Sequence, residues 1–112
     1  VYVTGGIIMA VNGSNACHCW AKFTGSGDVA NTVEGYNVST AADNGEGDYT
    51  INFTTNFTDV DYCQVTGSDN TSSQIRVNCR VSQAVGSYRF VTRGASDNKN
   101  DPHNGMVSFF GK

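Results

Sequence analysis

The chain has 112 residues, with seven Lys and Arg against ten Asp and Glu for a formal net charge of −3; this is one domain's length and excludes a multidomain enzyme. Gly, Asn, Ser and Thr account for 46 residues, Val for 13 and Ile for four, and leucine is absent, so helices lack their best formers while strand formers abound. The expected class is all-β. An acidic chain exerts no long-range pull on nucleic acid or anionic lipid, and no apolar run nears the roughly 18 residues of a membrane span, so neither nucleic acid nor membrane insertion is expected.

The chain opens on Val1 rather than Met, and VYVTGG carries no basic leader, which reads as a processed product or the end of a longer polypeptide. Residues 1–15, with the strand-sized run Ile7 to Val11, form an N-terminal strand segment that would connect to an upstream shaft or partner. Ala16 to Phe23 alternates next: Cys17, Cys19, Ala21 and Phe23 share one side, and His18, Trp20 and Lys22 the other. A strand near Tyr36 to Ala41 is followed by Asp43-Asn44-Gly45-Glu46-Gly47-Asp48, residues that tolerate positive φ and should close a hairpin. Its second arm, Tyr49 to Thr54, puts Tyr49, Ile51 and Phe53 inward.

Tyr62 to Ser68 supplies another strand, and Gln74 to Gln83 shows the cleanest alternation. There Ile75, Val77, Cys79 and Val81 are expected inward, with Arg76, Asn78, Arg80 and Ser82 outward. Tyr88 to Gly94 and Met106 to Gly111 flank the longest loop, Ala95 to Gly105, which contains the only proline, Pro102. Short strands punctuated by turn residues predict a single antiparallel β-sandwich, jelly-roll-like, with about eight to ten strands and one domain over 1–112.

Chemistry-bearing residues are sparse. Cys17 and Cys19 lie about 6.6 Å apart on one strand face, at the limit for a disulfide. A Cys63–Cys79 bridge would close a loop of about fifteen residues, worth about 3 kcal/mol. With only one close pair, a four-cysteine zinc site is disfavoured, and small buried hydrophobes are the plainest reading of all four. His18 and His103 are the only histidines, and no nucleophile elbow, metalloprotease, phosphate-loop or dinucleotide motif occurs. Asp43, Glu46 and Asp48 read as a solvated hairpin turn. No catalytic residue, metal or cofactor is expected. Sequons stand at Asn12, Asn37, Asn52, Asn56 and Asn70, and matter only on a glycosylating route. Arg76 with Arg80, and Arg89 with Arg93, make outward pairs about 13 Å apart. Together with Trp20 and Phe110 they are candidates for a subunit interface.

The run Trp20-Ala21-Lys22-Phe23-Thr24-Gly25-Ser26-Gly27, then Tyr36-Asn37-Val38-Ser39, resembles a module at the C-terminal ends of phage tail-fibre and related virion proteins of marine type. The segment from Asp43 to Thr55 is similar to that family's turn, G-D-Y-T, strand and F-T-T, and Tyr62 and Val107-Ser108-Phe109-Phe110-Gly111 match later landmarks. The chain departs from it at Asn56-Phe57-Thr58-Asp59, where the family has a Pro-Asp turn, and at Cys17, Cys19 and Cys63. The resemblance implies a β-sandwich on a virion surface, a homotrimer held among other virion proteins, attaching the particle to a glycan or protein receptor on the host. It brings no catalytic residues. The loop residues Asp97, Asn98, Lys99, Asn100, Asp101, His103 and Asn104 offer donors and acceptors suited to sugar hydroxyls. Two other roles fit the same sequence: a capsid-decoration or head-fibre protein, and a lectin-like carbohydrate-binding module of a secreted protein.

Overall fold

A computed structural model describes residues 16–24, 31–69, 77–94 and 97–112. Eight strands follow one another: β1 (Cys17–Thr24), β2 (Asn31–Tyr36), β3 (Val38–Gly45), β4 (Asp48–Phe53), β5 (Cys63–Asp69), β6 (Val77–Gln83), β7 (Ser87–Arg93) and β8 (Asn104–Phe110). They build two antiparallel sheets of four, ordered β2-β1-β8-β5 and β3-β4-β7-β6. The protein is an all-β sandwich, as its composition predicts, and no helix occurs among the described residues. The Ile7–Val11 run and the start of the Gln74–Gln83 reading, Arg76 included, lie outside the described residues.

The chain changes sheet between β2 and β3 at a single residue. Asn37 takes φ of 57° there, a left-handed conformation that Asn tolerates better than most residues. Its side chain locks the corner: Oδ1 accepts from the Thr55 N–H at 2.6 Å, and Nδ2 donates to the carbonyls of His18 and Thr55. An amide so engaged leaves no room for a glycan at that sequon.

The hairpin predicted around Asp43 to Asp48 joins β3 to β4, with Asp43 opposite Tyr49 and Gly45 opposite Asp48. Tyr49, Ile51 and Phe53 point inward and are buried, as the alternation requires. Opposite them, β1 contributes Cys19, Ala21 and Phe23, and β8 contributes Val107 and Phe109. With no leucine to fill the interior, aromatic rings do so. Phe57 stacks on Tyr62 at 3.9 Å between ring centroids, and Phe109 meets Phe53 and Tyr88 edge-on at 5.0 and 5.2 Å. Each ring buried fully is worth about 1.5–3 kcal/mol, and the edge-on geometry adds to that.

On the strand with the cleanest alternation the expected facing is reversed at Cys79 and Arg80 and regained at Ser82, opposite Arg89, after a bulge. On β6, Arg80 sits opposite the core residue Phe90, and Cys79 opposite Val91 on the outer side. A bulge between Arg80 and Ser82 throws Val81 out to 50% exposure. The reason is position: β6 is an edge strand, so long polar side chains on its inner side can turn out of the gap between the sheets. Gln83 uses that freedom as a clip, donating from Nε2 to the carbonyls of Val60 and Tyr62 at 2.6 and 2.8 Å. Tyr62 returns the contact through its hydroxyl to Ala84 O at 2.7 Å.

The hairpin tip is the tightest backbone approach. Gly47 has φ of 64°, and a Cβ there would lie 2.6 Å from Asn100 N and 2.8 Å from Thr92 O. Gly47→Ala is therefore expected to cost at least about 2 kcal/mol, combining left-handed strain with a backbone clash. A urea unfolding midpoint unchanged from wild type would contradict the packing described at this turn.

Candidate functional site

Three surface features can meet a partner: the 97–104 loop, the outer face of the second sheet, and the outer face of the first. The loop is only partly a loop. Asn100 N–H donates to Thr92 O at 3.0 Å, Gly94 N–H to Asn98 O at 2.9 Å, and Arg93 bridges Lys99. Thr92 N–H in turn donates to Gly47 O. The segment thus takes over beside β7 where β4 stops, and prolongs the second sheet. Asp101 fixes its far end: Oδ1 accepts from the Gly47 N–H at 2.8 Å and from the Tyr49 hydroxyl at 2.6 Å. Pro102 is buried.

This divides the predicted receptor residues. Asp101 and the Asn100 backbone belong to the framework, and Asn104 begins β8. Asp97, Asn98, Lys99 and His103 are exposed. Asp97 takes φ of 62°, and its carbonyl accepts from Arg93 Nη1 at 2.8 Å, so the exposed residues ride on a braced turn.

Under this strap lies a charge cluster that sequence reading missed by assigning Asp48 to a solvated turn. Asp48 is buried at 4% exposure. Arg89 grips it with both arms, Nε to Oδ1 at 2.9 Å and Nη2 to Oδ2 at 2.8 Å. Lys99 Nζ reaches Oδ2 at 3.4 Å, and Asn44 Nδ2 donates to Oδ1 at 3.4 Å. Hydrogen bonding from Arg89, working against burial, holds the Asp48 carboxyl down at about 2, and the bond to Asp48 in turn pushes the Arg89 guanidinium up. The only sequence signal was the G-D-Y step; nothing local to it pointed to Arg89 or Lys99.

The interface candidates separate. Arg89 and Arg93 lie on the outer face of the second sheet, joined to Asp48 and to Asp97. Arg80 leaves the edge between the sheets and donates to Gln83. Trp20 and Phe110 belong instead to the first sheet's outer face, along with Tyr36, Val65 and Met106. Here Trp20, Lys22, Val65, Gly67, Met106 and Ser108 line a groove of about 480 Å³. Gly67 lies opposite Met106 in register, and a Cβ on it would sit in ordinary contact, 3.8 Å from Met106 Cε.

All four cysteines are free thiols, so the Cys63–Cys79 bridge is not formed; Cys63 stands on the outer face of the first sheet, beside Phe110, and Cys79 on the outer face of the second, beside Val91. Only Cys19 is a core residue. Burial, helped by neighbouring Cys17, pushes its thiol up to about 12. Cys63 is exposed because β5 turns Gln64, not Cys63, toward the inner row of Phe109. Cys17 is shifted by a bulge between Cys17 and Cys19 and pairs with Phe110. His18 packs its ring on Phe57 at 4.1 Å and bonds to Thr55 O at 2.9 Å, a structural role. No group of three His, Cys, Asp or Glu capable of holding a metal occurs among the described residues.

Two measurements check this description. The Asp48 carboxyl is lowered on folding from 3.8 to about 2, so it contributes stability above its unfolded value and loses it as acid approaches the folded one. Asp48→Asn is expected to cost roughly 2 kcal/mol at neutral pH, with the gap to wild type narrowing below pH 3.8 and closing near pH 2; a pH-independent gap would count against the ion pair. Titration with a chromogenic disulfide reagent should find Cys63 reacting at once and Cys19 only on unfolding. Denatured, unreduced protein should yield four thiols, and a count of two would mean a disulfide.

No protein-family model matches the chain, and neither the characterised proteins nor the solved structures contain a significant match.

Proposed function

We propose that this chain is a non-enzymatic virion module, the tip of a phage tail fibre or spike, that forms a homotrimer and attaches the particle to a receptor on the host surface. The observation that carries the reading is what the family-like run does. Gly47-Asp48-Tyr49, at the centre of the resemblance, is the run that fastens the 97–101 strap, through Asp101, Thr92 and Lys99. A motif conferring no chemistry of its own thus braces a display loop against a rigid sheet. Bracing lowers the ordering cost of binding, because the backbone under Asp97, Asn98 and Lys99 is already fixed.

The exposed set Asp97, Asn98, Lys99 and His103 combines carboxylate, amide, ammonium and imidazole, groups that match the hydroxyls and charges of a surface glycan. A single small site of this kind binds weakly. Three copies on one knob convert it to useful avidity, since the second and third contacts form at high effective concentration.

Fluorescently labelled protein added to a panel of bacterial cells should adsorb saturably to some strains and not others, and periodate treatment of the cells should abolish adsorption where the receptor is a glycan. The double variant Asn98→Ala, His103→Ala should lose at least about tenfold in apparent affinity through the multivalent term, with its unfolding midpoint little changed. Adsorption to no strain, or full adsorption by the variant, would refute the assignment.

A further inference from the structure

The two outer faces of the sandwich are built differently. On the second sheet, polar side chains of β3, β4 and β7 alternate outward and bond to one another, Asn44 to Thr50, Asn52 to Thr40, Arg89 to Asp48, and the one large apolar side chain exposed among its described strand residues is Val81 on the edge strand β6. On the first sheet, the strand register sets out another pattern. One row across the strands reads Tyr36, Trp20, Ser108, Val65, and the next reads Glu34, Lys22, Met106, Gly67. Phe110 begins a third row, between Cys17 and Cys63. Tyr36 and Val65 are each 59% exposed, Met106 45% and Trp20 38%. Scattered exposed apolar residues are ordinary, but contiguous ones across all four strands mark a surface that something covers.

We propose that the outer face of the first sheet is where copies of this chain meet. The proposal rests on the preceding reading only for the number of copies, three. Two features select a second copy over a polar ligand. The groove walls are largely hydrocarbon, from Val65, Met106 and the Trp20 ring, so a saccharide there would leave hydroxyls unpaired. The charges amid this face are one of each sign, Lys22 and Glu34, directly opposite in register on neighbouring strands. Neither joins an ion pair among the described residues. Identical faces carrying both signs side by side meet without net repulsion, and Lys22 of one copy can take Glu34 of the next.

Area sets the strength. Four strands about 4.8 Å apart and seven residues long at about 3.3 Å per residue offer a flat patch of roughly 450 Å², against about 800 Å² per partner in a standard interface. A contact between two copies is therefore weak, and closure of a ring, in which each copy touches two others, gives the assembly its stability.

Mass should be followed by analytical ultracentrifugation and native mass spectrometry over a concentration series of the full chain. The expected result is conversion from one copy to three with rising concentration. Met106→Lys and, independently, Val65→Glu should each raise the midpoint of that conversion by at least about thirtyfold, through burial of an unpaired charge. Arg93→Glu, on the other sheet, should leave the midpoint in place. Near-ultraviolet circular dichroism checks that the variants keep the aromatic core. A chain that stays single at the highest concentration, or an assembly indifferent to both variants, would overturn the proposal. A two-copy mass lost in the variants would keep the face and overturn the trimer. Intact three-copy assembly that adsorbs to no cell would instead sink the attachment reading and leave this one standing.

Discussion

The fold depends on a layer of aromatic rings held between two sheets. Without leucine, the interior is filled by flat side chains from both sides, Phe23 and Phe109 from one sheet meeting Tyr49, Phe53, Tyr88 and Phe90 from the other. Rings cannot interdigitate as freely as aliphatic chains, and they settle into edge-on and offset contacts that fix the relative positions of the sheets. The consequence reaches Gly105: a Cβ there would come to 2.3 Å from the Phe23 ring, so a small residue in β8 makes room for the large one in β1. Volume is balanced across strands, which is what keeps interiors at crystal-like density.

Tyr62 and Tyr49 do more than fill space. Each has an apolar ring in the core and a hydroxyl that reaches the core's rim, Tyr62 to Ala84 O and Tyr49 to Asp101. At one end, Tyr62 and Gln83 stitch the sheets across the open edge between β5 and β6. At the other, Tyr49 and Asp48 hold the strap. The loop's order is thus a consequence of the core, transmitted through two residues adjacent in sequence, one facing inward and the other outward. Burial pushes the Tyr62 phenol up to about 12, so it stays a hydrogen-bond donor throughout the physiological range.

Alternation made the strands legible; it did not make their facing legible. For β4 the two coincide, because a central strand has one side that must be apolar, and Tyr49, Ile51 and Phe53 occupy it. For β6 the pattern was cleaner, yet the facing inferred at Cys79 and Arg80 was inverted. An edge strand can let Arg80 and Gln83 leave by the side, and a bulge turns Val81 to the surface. The same ambiguity misplaced Cys63, whose neighbours Gln64 and Val65 carry no decisive preference. The Asp48 cluster was illegible for another reason: its partners stand 41 and 51 positions away, and only the register of β4 with β7 and the path of the strap bring them together. The loop's exposed half could be read from composition, whereas its anchored half depended on backbone pairing that side-chain chemistry does not announce.

The apolar face calls for a reason other than the stability of the single chain. Residues as exposed as Tyr36, Val65 and Met106 contribute little to folding, because the unfolded chain exposes them comparably. Threonines in their places would suit a strand equally well and keep the surface wet. The sandwich therefore has no need of them for its own stability, unlike Phe109 or Tyr49, whose removal would open a cavity. Nor does a polar environment explain them, since the opposite sheet handles its outer surface with Asn, Thr, Arg and Asp bonded to one another. One sequence has thus built two outer surfaces by two rules. The difference is what the proposed contact between copies would require, with one surface turned to a partner copy and the other left to water.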